Sequence, residues 1–229
     1  MRPREFDLGV YLITDRACCG PRGVEEVVRA AIDNGATLVQ LRDKNVDARP
    51  MLALGRKLLD LLRPAGIGLV VNDRIDVAQV LHADGVHIGQ QDIPYPEARR
   101  LLGPAKIIGV SVGSEAEARE VASWDVDYVG VGPVFSTATK PDAGIALGAD
   151  ETARLARISG HRAVAIGGID SVNAATLYAA GLEGVAVISA ICSAPDPGAA
   201  ARWLVRLMQE HRVNKPGWQC RVPGTPYCG

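Results

Sequence analysis

Short apolar runs rich in Val and Ile alternate with amphipathic stretches along the chain as far as position 211. The short runs fall at 10–14, 38–42, 68–72, 85–89, 106–112, 128–135, 163–169 and 184–191. Each is followed by turn residues or a polar loop, so they predict eight strands. Between them, apolar residues recur at helical spacing. The stretch 24–34 puts Val24, Val27, Val28, Ala31 and Ile32 on one face, and 50–62, 94–102, 115–124, 150–158 and 173–180 follow the same logic. A last helix over 199–211 carries Trp203, Leu204, Leu207 and Met208 on one side.

Strand followed by helix, repeated around eight strands, demands crossovers and hence parallel pairing. The pattern predicts an α/β protein, a closed (β/α)8 TIM barrel in a single domain over 1–212. An open nucleotide-binding sheet is the alternative, but no G-x-G-x-x-G follows the first strand. Beyond it the periodicity stops: 213–229 holds three prolines and three glycines and reads as a tail, ordered only if it docks elsewhere.

Composition narrows the function classes. The 229 residues carry 25 basic and 26 acidic side chains, a net charge of −1, so no overall positive field exists to hold a nucleic acid. Aromatics make up only 4%, which argues against a base-stacking surface. No apolar run reaches the roughly 18 residues of a membrane span, and the amino terminus alternates charge with proline. The expectation is a cytoplasmic protein with neither membrane nor nucleic-acid partners; a homo-oligomer is compatible with the sequence. The five cysteines, Cys18, Cys19, Cys192, Cys220 and Cys228, lack metal-ligand spacing and read as unpaired thiols, with a Cys220/Cys228 pair as the alternative.

In such a barrel, chemistry sits where the strands end. Strand alternation puts Gln40, Arg42 and Lys44 on one side, a doubly cationic edge fit for an anion or, equally, a solvated surface. Asn72-Asp73 ends the third strand and Asp92 follows the fourth. Two carboxylates at one mouth suit a hard divalent cation such as Mg2+, but they also suit pairing with Arg42, Lys44 or Arg74, or an acid/base dyad. His87, inside the fourth strand, reads as a packed, hydrogen-bonded side chain. Ser111 ends the fifth strand and says little alone. The long connection after the sixth strand carries Ser136, Thr137, Thr139 and Lys140, which reads as a closing lid or a plain surface loop. Gly167-Gly168 and Ile188-Ser189 follow the last two strands, where small residues let backbone N–H groups approach a phosphate.

Eight blocks in register resemble the thiamine phosphate synthase family: Tyr11-Leu12-Ile13-Thr14-Asp15, Gln40 to Lys44, Val71-Asn72-Asp73-Arg74, Gly85 to Asp92, Gly109-Val110-Ser111, Gly132 to Lys140, Ala165 to Ile169 and Val187 to Ala190. The resemblance covers about residues 10–210. It implies a transferase that joins hydroxymethylpyrimidine diphosphate to a thiazole phosphate, carboxylated or not, releasing pyrophosphate and giving thiamine phosphate. It further implies that Gln40, Arg42, Lys44, Asn72, Ser111 and Lys140 hold the pyrimidine diphosphate. Asp73 and Asp92 would hold Mg2+, and Thr137, Thr139, Gly168, Ile188 and Ser189 the thiazole phosphate. Arg42, Lys44, Ser111 and Lys140 would be the catalytic set. Two departures stand out. Ser136 replaces a proline common in the family, and Leu81-His82 stands where a small residue is commoner, for which only a packing effect is expected.

Three other readings remain. A related thiazole tautomerase would place a histidine after the sixth strand, where this chain has Gly132-Pro133. A Schiff-base aldolase barrel would need a lysine buried in a strand, whereas Lys106 sits at a strand entry. A non-catalytic phosphate-binding barrel would need neither Asp73, Asp92 nor Lys140.

Overall fold

In the computed structural model, the described residues are 6–44, 46–137, 139 and 144–213. Lys140 and the Cys220/Cys228 alternative lie outside them. So does the tail, except that the last helix runs into its first residue, Val213.

Eight parallel strands close into a barrel in sequence order: β1 (Val10–Ile13), β2 (Leu38–Leu41), β3 (Gly68–Asn72), β4 (Gly85–Ile88), β5 (Ile107–Val112), β6 (Tyr128–Val131), β7 (Ala163–Ile166) and β8 (Gly184–Val187). Closure is made by β1 against β8, with Val10 opposite Val185 and Leu12 opposite Val187. The connections carry α1 (Arg16–Cys19), α2 (Gly23–Ile32), α3 (Ala48–Leu62), α4 (Ile75–Leu81), α5 (Tyr95–Leu102), α6 (Glu115–Val121), α7 (Ala149–Ser159), α8 (Ala174–Ala179), α9 (Ser189–Cys192) and α10 (Pro197–Val213). Among the described residues, no helix is long and apolar enough to cross a membrane.

Strand parity divides the apolar residues into two concentric sets. Odd-facing partners such as Val39, Leu41, Leu69, Val71 and Val129 pack outward against the helices. Tyr11, Ile13, Leu38, Val70, Ile107, Tyr128, Val164 and Ala186 fill the barrel interior. Helix α3 shows how the outer layer is made: Met51, Gly55, Leu58, Leu59 and Leu62 recur at helical spacing and are all buried.

Three strands end earlier than their apolar runs suggest. β6 stops before the cis Gly132–Pro133 bond, since proline has no N–H for a ladder. β7 stops at Ile166, where Gly167 and Gly168 turn the chain at φ 100° and 64°. β8 stops at Val187, and the apolar residues after it form α9. Helix α4 was not expected. Its Ile75-Asp76-Val77 start mimics strand alternation, yet Ile75, Ala78 and Leu81 share one buried helical face. Leu81 is the departure noted above: a Cβ on Gly55 of α3 would overlap its methyls, so the larger side chain is matched by a glycine across the helix pair. His82 ends α4 in the left-handed conformation at φ 50°.

Candidate active site

A cavity of about 340 Å3 opens at the carboxyl ends of the strands. Its wall brings together Gln40, Arg42, Lys44, Asn72, Asp73, Asp92, Ser111, Thr137, Thr139, Gly168, Ile188 and Ser189. Every described residue singled out from the sequence as a ligand is therefore on one surface.

The cationic edge is built from β1 and β2 together. Thr14, just past β1, clamps the backbone of Arg42: its hydroxyl accepts from Arg42 N at 3.0 Å and donates to Arg42 O at 3.2 Å. Asp15 then takes Arg42 Nη1 at 3.1 Å while its other oxygen caps α1 by accepting from Cys18 N at 3.0 Å. One carboxylate thus fixes both a helix start and the guanidinium.

The acidic pair follows the next two strands, β3 and β4. Asp73 adopts φ 60°, a left-handed conformation that aspartate tolerates better than most residues, and its N–H donates to His87 O at 2.9 Å. Such backbone outliers concentrate at ligand sites. Asp92 Oδ2 accepts from Gly89 N at 2.7 Å. Arg74, one of the pairing partners weighed from the sequence, instead binds Asp76 at 2.6 Å on the surface. Among the described residues, no cluster of three or more His, Cys, Asp or Glu side chains is placed to hold a metal. Two carboxylates still match a cation that keeps most of its waters and takes substrate oxygens.

The opposite wall comes from the last two loops. The segment after β6 lies along the end of β7: Val134 N donates to Ile166 O at 2.9 Å and Phe135 N to Gly167 O at 3.0 Å. A Cβ on Gly168 would come within 2.6 Å of Ser136 O and 2.8 Å of Phe135 Cβ, so both positive φ and close backbone approach call for glycine here. Asn173 holds the turn by donating to Gly168 O at 2.9 Å. In the connecting loop, Thr137 Oγ1 accepts from Thr139 N at 3.3 Å, while Ser136 is exposed.

Three site residues were not singled out from the sequence as ligands. Tyr11 and His87 line the cavity, and Tyr128 lies directly beneath it. His87 is indeed packed and hydrogen-bonded: Nδ1 is 3.0 Å from Tyr128 Oη and Nε2 is 3.0 Å from Ser111 Oγ. Tyr128 Oη lies 2.9 Å from Tyr11 Oη, which accepts from Gln40 Nε2 at 2.8 Å. Burial pushes both phenols well above their ordinary range, so each keeps its proton. The missed signal is parity: Tyr11, Gln40, His87, Ser111 and Tyr128 are all polar side chains on inward-facing strand positions.

Comparison with known proteins bears on this arrangement. The profile of the family described as Thiamine monophosphate synthase matches residues 10–191. A thiamine-phosphate synthase from Roseiflexus sp. (strain RS-1) is 51% identical over 195 residues, covering 85% of this chain and 83% of that protein. One from Azorhizobium caulinodans is 46% identical over 210 residues, covering 92% and 99%. The solved structure of a thiamine phosphate pyrophosphorylase from Pyrococcus furiosus superposes with a TM-score of 0.81 at 38% identity, covering 89% of this chain and 96% of that one. A match that spans the whole barrel at this identity shows a transferase, and the chain belongs to the thiamine monophosphate synthase family.

Proposed function

We propose that the cavity joins hydroxymethylpyrimidine diphosphate to a thiazole phosphate, releasing pyrophosphate and giving thiamine phosphate. The observation that carries the reading is convergence: Arg42 and Lys44, the Asp73/Asp92 pair and the Gly168–Ile188–Ser189 wall share one cavity. Two anionic substrates need two anion sites, and these lie at different strand ends, β2 to β4 for the one and β7 to β8 for the other.

In this reading the carbon–oxygen bond to the diphosphate breaks first, the electron pair leaving with the diphosphate. The electron-rich aminopyrimidine carries the resulting cation until the thiazole nitrogen forms the new carbon–nitrogen bond. Arg42 and Lys44, with Lys140 from the loop, stabilise the charge that develops on the departing oxygen. Mg2+ held by Asp73 and Asp92 would neutralise diphosphate charge, and hard carboxylate oxygens are the donors that this cation takes. Thr137, Thr139, Gly168, Ile188 and Ser189 hold the thiazole phosphate in line with the pyrimidine, and the cavity walls exclude water from the cation. No protein nucleophile is required. The reading is of a cytoplasmic enzyme acting on small molecules alone.

The test is to mix both substrates with the protein and Mg2+ and assay pyrophosphate. Release of one pyrophosphate per thiamine phosphate is expected. No release while thiazole phosphate still binds would turn the reading into that of a phosphate-binding barrel. Full activity in excess chelator would remove Asp73 and Asp92 from the metal role.

A further inference from the structure

The side chains under the cavity form one unbroken chain of hydrogen bonds. Gln40 Nε2 reaches Tyr11 Oη at 2.8 Å, Tyr11 Oη reaches Tyr128 Oη at 2.9 Å, Tyr128 Oη reaches His87 Nδ1 at 3.0 Å, and His87 Nε2 reaches Ser111 Oγ at 3.0 Å. Both ends, Gln40 and Ser111, line the cavity. The links are buried: Tyr128 is 0% exposed, Tyr11 1% and His87 8%. The barrel is cut to fit them. A Cβ on Gly109 would overlap the Tyr128 ring and hydroxyl, and one on Gly130 would crowd His87 Cε1 at 3.1 Å.

Counting protons gives the chain a direction. A phenol has one proton to donate, and a neutral imidazole has one donor and one acceptor nitrogen. Tyr11 accepts from the Gln40 amide, so its own proton goes to Tyr128. Tyr128 then donates to His87 Nδ1, which leaves the His87 proton on Nε2, donating to Ser111. The Ser111 hydroxyl proton is consequently left for a ligand, and the Gln40 amide keeps its carbonyl as an acceptor. The opposite direction needs every member to reverse, including rotation of the amide. An intermediate state would leave a buried donor facing a donor, which is costly.

We propose that Tyr11, Tyr128 and His87 are positioning residues that lock Gln40 and Ser111 together as a matched acceptor and donor for the ring of the pyrimidine substrate. The chain leaves over the Gln40 carbonyl and the Ser111 hydroxyl proton, and a ring offering a donor to the one and an acceptor to the other finds both partners already set. The ligand half of this inference rests on the synthase reading; the direction of the chain does not.

The experiment reads the His87 tautomer in the full-length, ligand-free protein by long-range 1H–15N spectra at about pH 8, where an ordinary histidine is neutral. Loss of signals in His87→Gln assigns them among the four histidines. The expected wild-type result is a pyrrole-type Nε2 and a pyridine-type Nδ1. Gln40→Glu, whose carboxylate only accepts, should invert the pair, so that Nδ1 carries the proton. Tyr11→Phe, which keeps the ring and cuts the chain, should give a mixture, and Gln40→Glu added to it should change nothing further. A proton on Nδ1 in the wild type overturns the proposal, even if Gln40→Glu does not fold; so does one tautomer common to all variants. In kinetics, Tyr11→Phe should raise KM for the pyrimidine diphosphate roughly 3- to 10-fold while leaving KM for the thiazole phosphate unchanged. An equal rise in both would mean a merely structural tyrosine. Should the protein make no thiamine phosphate at all, the tautomer result still stands or falls by itself.

Discussion

The two ends of the barrel each carry an arginine–aspartate pair of similar burial, and they do different work. At the cavity, Arg42 and Asp15 are 11% and 18% exposed; at the opposite end, Arg212 and Asp7 are 13% and 22% exposed. Arg212 meets Asp7 with two nitrogens, at 2.7 and 2.6 Å, and reaches Glu183 O at 3.3 Å. Asp7 also takes Gly9 N at 2.7 Å. This is a bidentate pair, saturated by its own fold, that ties the end of α10 to the chain entering β1. Arg42 binds Asp15 through Nη1 alone, and among the described residues its guanidinium shows no other hydrogen bond. Equal burial thus produces a closed clasp in one place and, in the other, a cation held in position with donors in reserve.

The sharpest way to break this contrast is Arg42→Ala. Loss of a donor aimed at developing charge should cut turnover by about 100-fold or more, while stability measured by denaturant falls by less than it does when the bidentate Arg212 is removed. Turnover within about threefold of wild type would mean that the reserve is not used. Arg212→Ala should do the reverse. Leaving Asp7 without its partner should cost about 2–4 kcal/mol of stability, with turnover per folded molecule unchanged at this distance. A third variant, Gly168→Ala, tests the wall formed by the last two loops. Strain at φ 64° and overlap with the Phe135–Ser136 backbone should raise KM for the thiazole phosphate about tenfold and leave that for the pyrimidine diphosphate near its wild-type value. Equal increases would show that the two anion sites are not separate.

How much of this was legible in the sequence depended on what each signal repeats. The eight strands were legible because parallel strands buried on both faces leave short, β-branched runs, and Gln40, Arg42 and Lys44 were legible because alternation carries past the end of β2. The ends of β6, β7 and β8 were not, because Val134, Ile169 and Ile191 stay apolar after pairing stops; the turn belongs to Pro133, Gly167 and Gly168. Helix α4 was hidden by its start, since Ile75-Asp76-Val77 alternates as a strand does and only seven residues follow the helical period. Tyr11, Tyr128 and His87 sat inside apparent core strands, where a polar side chain is more often packed than functional. Only the closure of the barrel, which sets β1, β2, β4, β5 and β6 around one axis, brings their polar atoms into line.

The smallest expected effect tests the clasp by pH. Burial alone would raise the Asp7 carboxyl, but the Arg212 hydrogen bonds and charge, with the Gly9 N–H, outweigh it and hold the group below its ordinary value of 3.8. A depressed carboxyl stabilises the fold above its unfolded value, and that contribution is lost as pH falls through the lower folded value. Asp7→Asn removes the titration and keeps the shape. Between about pH 5 and about pH 3, the wild type should therefore lose more stability than Asp7→Asn does, the two denaturation curves drawing together as acid is added. Parallel losses in wild type and Asp7→Asn would show that the clasp holds by packing of the Arg212 stem and not by its charge.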